Sequence, residues 1–166
     1  DEAFDGETTT YISIPASVTD LGCSLGRLST QITVVINPEN KNYIIKDDVI
    51  YTSDMTELVR CMPVCKNEEI TIPDTVKKID EKAFHHCEKI KKLNIPASVN
   101  EINSDSFFEC RGLESINVDE NNSDYCSINE VLFNKYKDIL YQYPIGRSDK
   151  SYIIPDSVGE IGSYAF

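Results

Sequence analysis

Glycine is scarce in this chain: seven residues in 166, and no Gly-rich loop that could cradle phosphates. Histidine is scarcer, with two residues that are neighbours, so no nucleophile, base and orienting group stand out as a set. Sixteen Lys and Arg face 28 Asp and Glu, for a net charge of −12. That balance repels phosphate backbones and anionic lipid surfaces, so nucleic acid is not an expected partner. No signal peptide and no apolar run long enough to cross a bilayer is present, so no membrane insertion is expected in this segment. Six cysteines in 166 residues are too few for a disulfide-stapled scaffold. No catalysis and no cofactor are expected.

What the chain has instead is a repeat. Ile-Pro, a small or acidic residue, Ser or Thr, and Val recur at Ile14–Val18, Ile72–Val76, Ile95–Val99 and Ile154–Val158. A fixed period sets the fold before any single residue is interpreted. Two longer gaps each hide a repeat that has lost its proline, with remnants Val34-Val35-Ile36 and Ile116-Asn117-Val118. Counted on the last apolar residue, Ile14, Ile36, Ile72, Ile95, Val118 and Ile154 are spaced 22, 36, 23, 23 and 36 residues. Pro15 to Pro96 is 81 residues and Pro73 to Pro155 is 82, so two short repeats and one expanded one make a super-unit. The chain opens on Asp1-Glu2-Ala3-Phe4 and closes on Ser163-Tyr164-Ala165-Phe166, the same phase as Glu81-Lys82-Ala83-Phe84. Residues 1–166 are therefore expected to form one domain, a piece of a longer array, with end-to-end contacts open to its uncapped termini.

Each repeat has a physical reading. Ile70-Thr71-Ile72 alternates as a short half-buried strand. Proline holds the residue before it extended and suits a strand end. Phe84, Cys87, Ile90 and Leu93 then step by three, as do Phe107, Cys110, Leu113 and Ile116, which suggests a short helical or 3₁₀ turn. One repeat cannot enclose a core, so neighbouring coils must stack. The strands are expected to pair in parallel in one curved sheet about 25 Å wide. In the expanded repeats, Val49-Ile50-Tyr51 with Leu58-Val59-Arg60, and Val131-Leu132-Phe133 with Ile139-Leu140-Tyr141, flank polar loops and read as β-hairpins on one side of the solenoid.

The patterns Ile-Pro-x-Ser/Thr-Val-x-x-Ile, Ala-Phe-x-x-Cys and Leu-x-x-Ile resemble the BspA-type leucine-rich repeat family. Asn121-Asn122-Ser123-Asp124-Tyr125 through Val131-Leu132-Phe133 to Tyr143-Pro144 is similar to its longer variant. The chain departs from the pattern at Phe4, which no Cys follows, and around Cys23-Ser24-Leu25-Gly26-Arg27, where Ala-Phe is missing and an irregularity is expected. The resemblance implies a leucine-rich-repeat solenoid, α/β but β-rich. It also implies an extracellular or cell-surface adhesion module whose partner is a host or microbial surface protein or glycan. A structural spacer without its own ligand is the alternative.

Within the repeat, two sets of outward strand positions form the expected ligand-binding concave face. One is Ser13, Val35, Thr71, Asn94, Asn117 and Ile153. The other, two residues earlier, is Tyr11, Thr33, Glu69, Lys92, Ser115 and Ser151. The hairpins, with Tyr51 and Tyr136 expected to be exposed, are the rival contact site. Cys87 and Cys110 share a slot and read as a buried apolar ladder. Cys61-Met62-Pro63-Val64-Cys65 would need two further ligands to hold zinc. His85-His86-Cys87 reads as a solvated turn, and Asp119–Asp124 as an Asn-rich surface turn that lacks the features of a calcium loop. Asn121-Asn122-Ser123 is a glycosylation sequon with meaning only in a eukaryotic secretory setting. No metal site is expected.

Overall fold

A computed structural model describes residues 11–21 and 32–166. The expectations that fall on Phe4 and on Cys23–Arg27 lie outside the described residues. The architecture is a β-solenoid of short strands. Parallel strands fill the slot before the proline position, whether or not proline is kept: β1 (Tyr11–Ile14) pairs with β2 (Thr33–Ile36), and β6 (Glu69–Thr71), β8 (Lys92–Ile95) and β10 (Ser115–Val118) form a second sheet. Register is set by the repeat, with Thr71, Asn94 and Asn117 opposite one another and Ile70, Leu93 and Ile116 beneath the sheet.

The Ile-Pro string turns the chain by one device at all four of its occurrences. The amide of Val18, Val76, Val99 or Val158 donates to the carbonyl of the proline three residues earlier, at 3.3, 3.0, 3.4 and 3.0 Å. Proline has no N–H to offer a continuing ladder, so a tight turn there leaves no orphan donor. The Ser slot ties coils together: Ser98 Oγ donates to Val76 O at 2.7 Å and Ser157 Oγ to Lys137 O at 2.8 Å. Ser98→Ala should cost about 1 kcal/mol in chemical denaturation, a loss that Ser98→Thr should largely restore.

After the turns at Val76, Val99 and Val158 the coil makes a second, two-residue strand. β7 (Lys78–Ile79) and β9 (Glu101–Ile102) pair in parallel with each other, and β14 (Glu160–Ile161) pairs with an expanded repeat. The expanded repeats hold the expected hairpins and one strand more. β3 (Tyr43–Lys46), β4 (Val49–Thr52) and β5 (Glu57–Cys61) form one antiparallel meander; β11 (Tyr125–Ile128), β12 (Val131–Asn134) and β13 (Ile139–Gln142) form the other. The first turn of each meander has two consecutive residues at positive φ, Asp47-Asp48 (52°, 60°) and Asn129-Glu130 (48°, 67°). That is the geometry favoured in two-residue hairpins. The last strand of each meander then joins the second column: Leu58 pairs with Ile79, and Leu140 with Ile161. Each meander thus bridges the two columns and divides the pre-proline strands into separate short sheets. The outer edge of β10 meets a meander rather than another parallel strand, as Ile116 N donates to Glu130 O at 2.9 Å.

Among the described residues there is no α or 3₁₀ helix. The three-residue step is a chain of separate turns. Cys87 N donates to Phe84 O and Ile90 N to Cys87 O, and Cys110 and Leu113 do the same one coil later. His86 (φ 60°) and Glu109 (φ 54°) lie between these bonds in the left-handed region, which breaks any continuous helix. The core is continuous between coils, with Ile79, Phe84, Cys87, Ile90 and Leu93 buried beside Ile102, Phe107, Cys110, Leu113 and Ile116. Phe84 and Phe107 stack with centroids 5.7 Å apart.

Candidate recognition surface

The sheet β6–β8–β10 brings five of the expected residues into one polar face. The Asn117 side-chain amide donates to Asn94 Oδ1 at 3.2 Å, and Asn94 Nδ2 donates to Thr71 Oγ1 at 3.1 Å and Glu69 Oε1 at 2.7 Å. Lys92 Nζ lies 3.1 Å from the same Glu69 oxygen. Together the Asn94 amide and the Lys92 ammonium hold the Glu69 carboxyl below its usual range. These contacts follow from register, since cross-strand neighbours on one face lie within side-chain reach. The result is a row in which each side chain is oriented by the next, with Glu69 and Thr71 exposed and Lys92, Asn94 and Asn117 half-exposed.

The rest of the expected surface divides. Tyr11, Ser13, Thr33 and Val35 are exposed on the separate β1–β2 sheet. Ser115 is buried, because the β11–β12 turn and the Gly146 segment close over that end of β10: Ile116 N bonds Glu130 O, and Gly146 N bonds Leu113 O at 2.8 Å. Ser151 and Ile153 are exposed but lie outside any strand, so no pairing carries them into the ladder. On the hairpins, Tyr136 is 85% exposed. Tyr51, expected beside it, is buried, and desolvation raises its hydroxyl to about 12. Its equivalent 82 residues on is Phe133, also buried, so the slot points into the core.

The cysteines among the described residues make no open site. Cys61, Cys65, Cys87 and Cys110 are buried and free, and Cys126 is half-buried. Cys87 Sγ donates to Cys61 O at 3.4 Å and Cys110 Sγ to Cys87 O at 3.5 Å, a ladder from coil to coil. Burial raises the Cys110 thiol, while a hydrogen bond from Cys61 lowers Cys65 to about 7.

The turn at His85-His86 is not a simply solvated one. His85 is 5% exposed, and its ring stacks on His86 at 3.9 Å and on Phe108 at 5.4 Å. The next coil brings Glu109 beside both imidazoles.

Asn122 is the residue that sequence reasoning missed. It is fully buried, donates to Pro96 O (2.9 Å) and Val99 O (2.8 Å), and accepts from the amides of Asp124 (2.9 Å) and Tyr125 (2.8 Å). Asn40 does the same for Pro15 and Val18 on one side and Asn42 and Tyr43 on the other. The signal was present as Asn40-x-x-Tyr43 and Asn122-x-x-Tyr125, one super-unit apart. Each Asn caps the Ile-Pro turn of the coil before it and starts a meander.

The family described as BspA type leucine rich repeat region matches residues 60–166 in six copies. Two solved structures share the fold. The pneumococcal vaccine antigen PcpA aligns over 95% of this chain and 42% of its own, with 22% identity and a TM-score of 0.55. A leucine rich cell surface protein from Faecalibacterium prausnitzii A2-165 aligns over 100% of this chain and 60% of its own, with 21% identity and a TM-score of 0.51. This chain thus spans less than two thirds of either. No curated protein matches it by sequence. Among the described residues no helix is long and apolar enough to cross a membrane.

Proposed function

The chain belongs to the BspA-type leucine-rich repeat family, and on that footing we propose that it is a recognition segment of a cell-surface or secreted protein, working by binding rather than catalysis. The partner is an extended stretch of a host or microbial surface protein or glycan laid along β6, β8 and β10. One observation carries this reading: Glu69, Thr71, Lys92, Asn94 and Asn117 form a hydrogen-bonded polar row on an open sheet face. Side chains already fixed by their neighbours lose little freedom when a ligand arrives, which favours binding. A mixed row of donors, an acceptor and one ion pair suits the amides of an extended peptide or the hydroxyls of a sugar. The similar structure from Faecalibacterium prausnitzii is that of a leucine rich cell surface protein, which supports the same setting. Exposed Ile153, Ile161, Tyr164 and Phe166 support end-to-end contact with a further coil as part of this proposal.

The test is a binding screen on arrays of matrix proteins, mucins and microbial glycans, followed by a Lys92→Ala, Asn94→Ala, Asn117→Ala triple variant. The expected result is a binder whose affinity falls about tenfold or more in the variant, while the melting curve stays close to the parent's. An unchanged affinity would move the site to the β1–β2 face or to the hairpin around Tyr136. A screen without any binder would favour the spacer reading.

A further inference from the structure

We propose that His85, His86 and Glu109 form a binding site for a divalent transition metal of the zinc class. The three residues come together because two coils stack. Residues 85–87 and 108–110 occupy equivalent slots 23 residues apart, so Glu109 of one coil lies beside His86 of the other. Glu109 Oε2 is 3.3 Å from His86 Nδ1 and 3.8 Å from His85 Nε2, and one donor atom from each residue lies within 4.8 Å of the others.

The two edges that Glu109 makes lie close to what zinc needs, and the histidine edge is within 4.8 Å. Zinc bonded tetrahedrally to nitrogen and oxygen at about 2.0–2.1 Å sets its ligand atoms about 3.4 Å apart. The His86–Glu109 edge already has that length, and the His85–Glu109 edge needs a contraction of about 0.4 Å. The two imidazoles are stacked, with planes inclined by 29° and centroids 3.9 Å apart, so the half-exposed His86 ring must swing out of the stack for both nitrogens to face one ion. Two imidazoles and a carboxylate suit zinc and its borderline neighbours rather than calcium or magnesium, which prefer oxygen alone. The surroundings hold the ligands in place. His85 is wedged between His86 and Phe108, and Phe108 is itself buttressed by Tyr164 at 4.9 Å. Arg111 Nη2 lies 3.6 Å from Glu109 Oε1, the oxygen not facing the histidines, a surface ion pair on the far side of the carboxylate. Three protein ligands leave the fourth position of a tetrahedral zinc open for water. His86 is half-exposed, which gives the ion a way in.

The chain has only two histidines, so imidazole resonances report on this site alone. Titrating the protein with zinc chloride should shift both imidazoles together, saturate at one equivalent and raise the melting temperature. Glu109→Gln keeps the shape and removes the charge, and should weaken binding about tenfold or more; His86→Gln should do at least as much. Both variants should keep the parent's circular dichroism. Cobalt in place of zinc should give ligand-field bands without thiolate charge transfer. Four outcomes would overturn the site: no imidazole shift, meaning an ion pair only; a shift in one ring alone, meaning an adventitious ion only; a Glu109→Gln variant that binds like the parent; or a thiolate band, which would place the metal on cysteine.

Discussion

Asn122→Asp should destabilise the protein more at neutral pH than Asn122→Ala, although aspartate is the closer isostere. Asn122 makes four hydrogen bonds at a site without solvent exposure. Alanine leaves the Val99 carbonyl and the amides of Asp124 and Tyr125 without this partner, while Pro96 O keeps only its 3.4 Å bond from Val99 N. At about 1–3 kcal/mol for each buried group left unsatisfied, and with some relaxation, a loss of about 3–5 kcal/mol is expected. Aspartate can still accept from Asp124 and Tyr125, but as a carboxylate it faces the oxygens of Pro96 and Val99 with no proton to offer. Burial and those two oxygens penalise the charged form, so its folded-state pKa rises above the unfolded value of about 3.9. A group raised in this way is least harmful below its unfolded pKa, and its penalty grows as pH rises towards its folded pKa. The gap between Asn122→Asp and the parent should therefore narrow below about pH 4, while the gap for Asn122→Ala stays flat. Urea denaturation at several pH values checks this. Exposed Asn121→Ala, which gives up a surface contact with Asp119, should stay within about 0.5 kcal/mol.

The same residue shows why part of the fold was legible and part was not. A proline after isoleucine, followed three residues later by valine, has a local cause and a local result, so the turn could be read from five residues. The Asn122 cap acts on carbonyls 26 and 23 residues away. No window of one repeat contains both partners, and only superposing the two super-units exposes the shared Asn-x-x-Tyr. The third meander strand escaped for a related reason: Tyr125-Cys126-Ser127-Ile128 follows a polar stretch and does not alternate cleanly. At the surface, alternation placed Thr71, Asn94 and Asn117 outward because strand period alone decides it. Ser115 obeys the same period and is still buried, because what covers it arrives from Glu130 and Gly146 later in the chain. His85 looked solvent-bound by its chemistry. Its slot partner, Phe108, carried the better signal, an apolar position on which imidazole stacks.

Gly112→Ala should be the most damaging single methyl in the described part of the chain, and should weaken recognition without touching the recognition row. A β-carbon at Gly112 would sit 2.0 Å from Glu88 O and 2.6 Å from Glu88 C. Both are backbone atoms of the preceding coil, so no side chain can swing aside. The next coil presses from the other side: a β-carbon at Gly146 would meet Gly112 C and O at 2.7 Å. Three coils are therefore packed backbone to backbone at a spacing that only glycine permits. Overpacking in a well-filled interior costs typically 1–3 kcal/mol, and against immovable backbone about 3 kcal/mol or more is expected. The strain falls where β10 joins β8. Glu114 and Ser115 donate their amides to Lys91 O at 2.8 and 2.9 Å, and these should exchange hydrogen faster in the variant while the β7–β9 amides stay protected. If β10 lifts, Asn117 moves away from Asn94 and the polar row loses its end. A partner bound along that row should then dissociate faster, although every contact residue is intact. Gly159→Ala is the control. Its β-carbon would meet nothing nearer than Asp138 O at 4.0 Å, so stability should change by no more than about 0.5 kcal/mol and binding not at all. Full binding by a destabilised Gly112→Ala would separate the recognition surface from the β8–β10 seam and leave the hairpins as the contact.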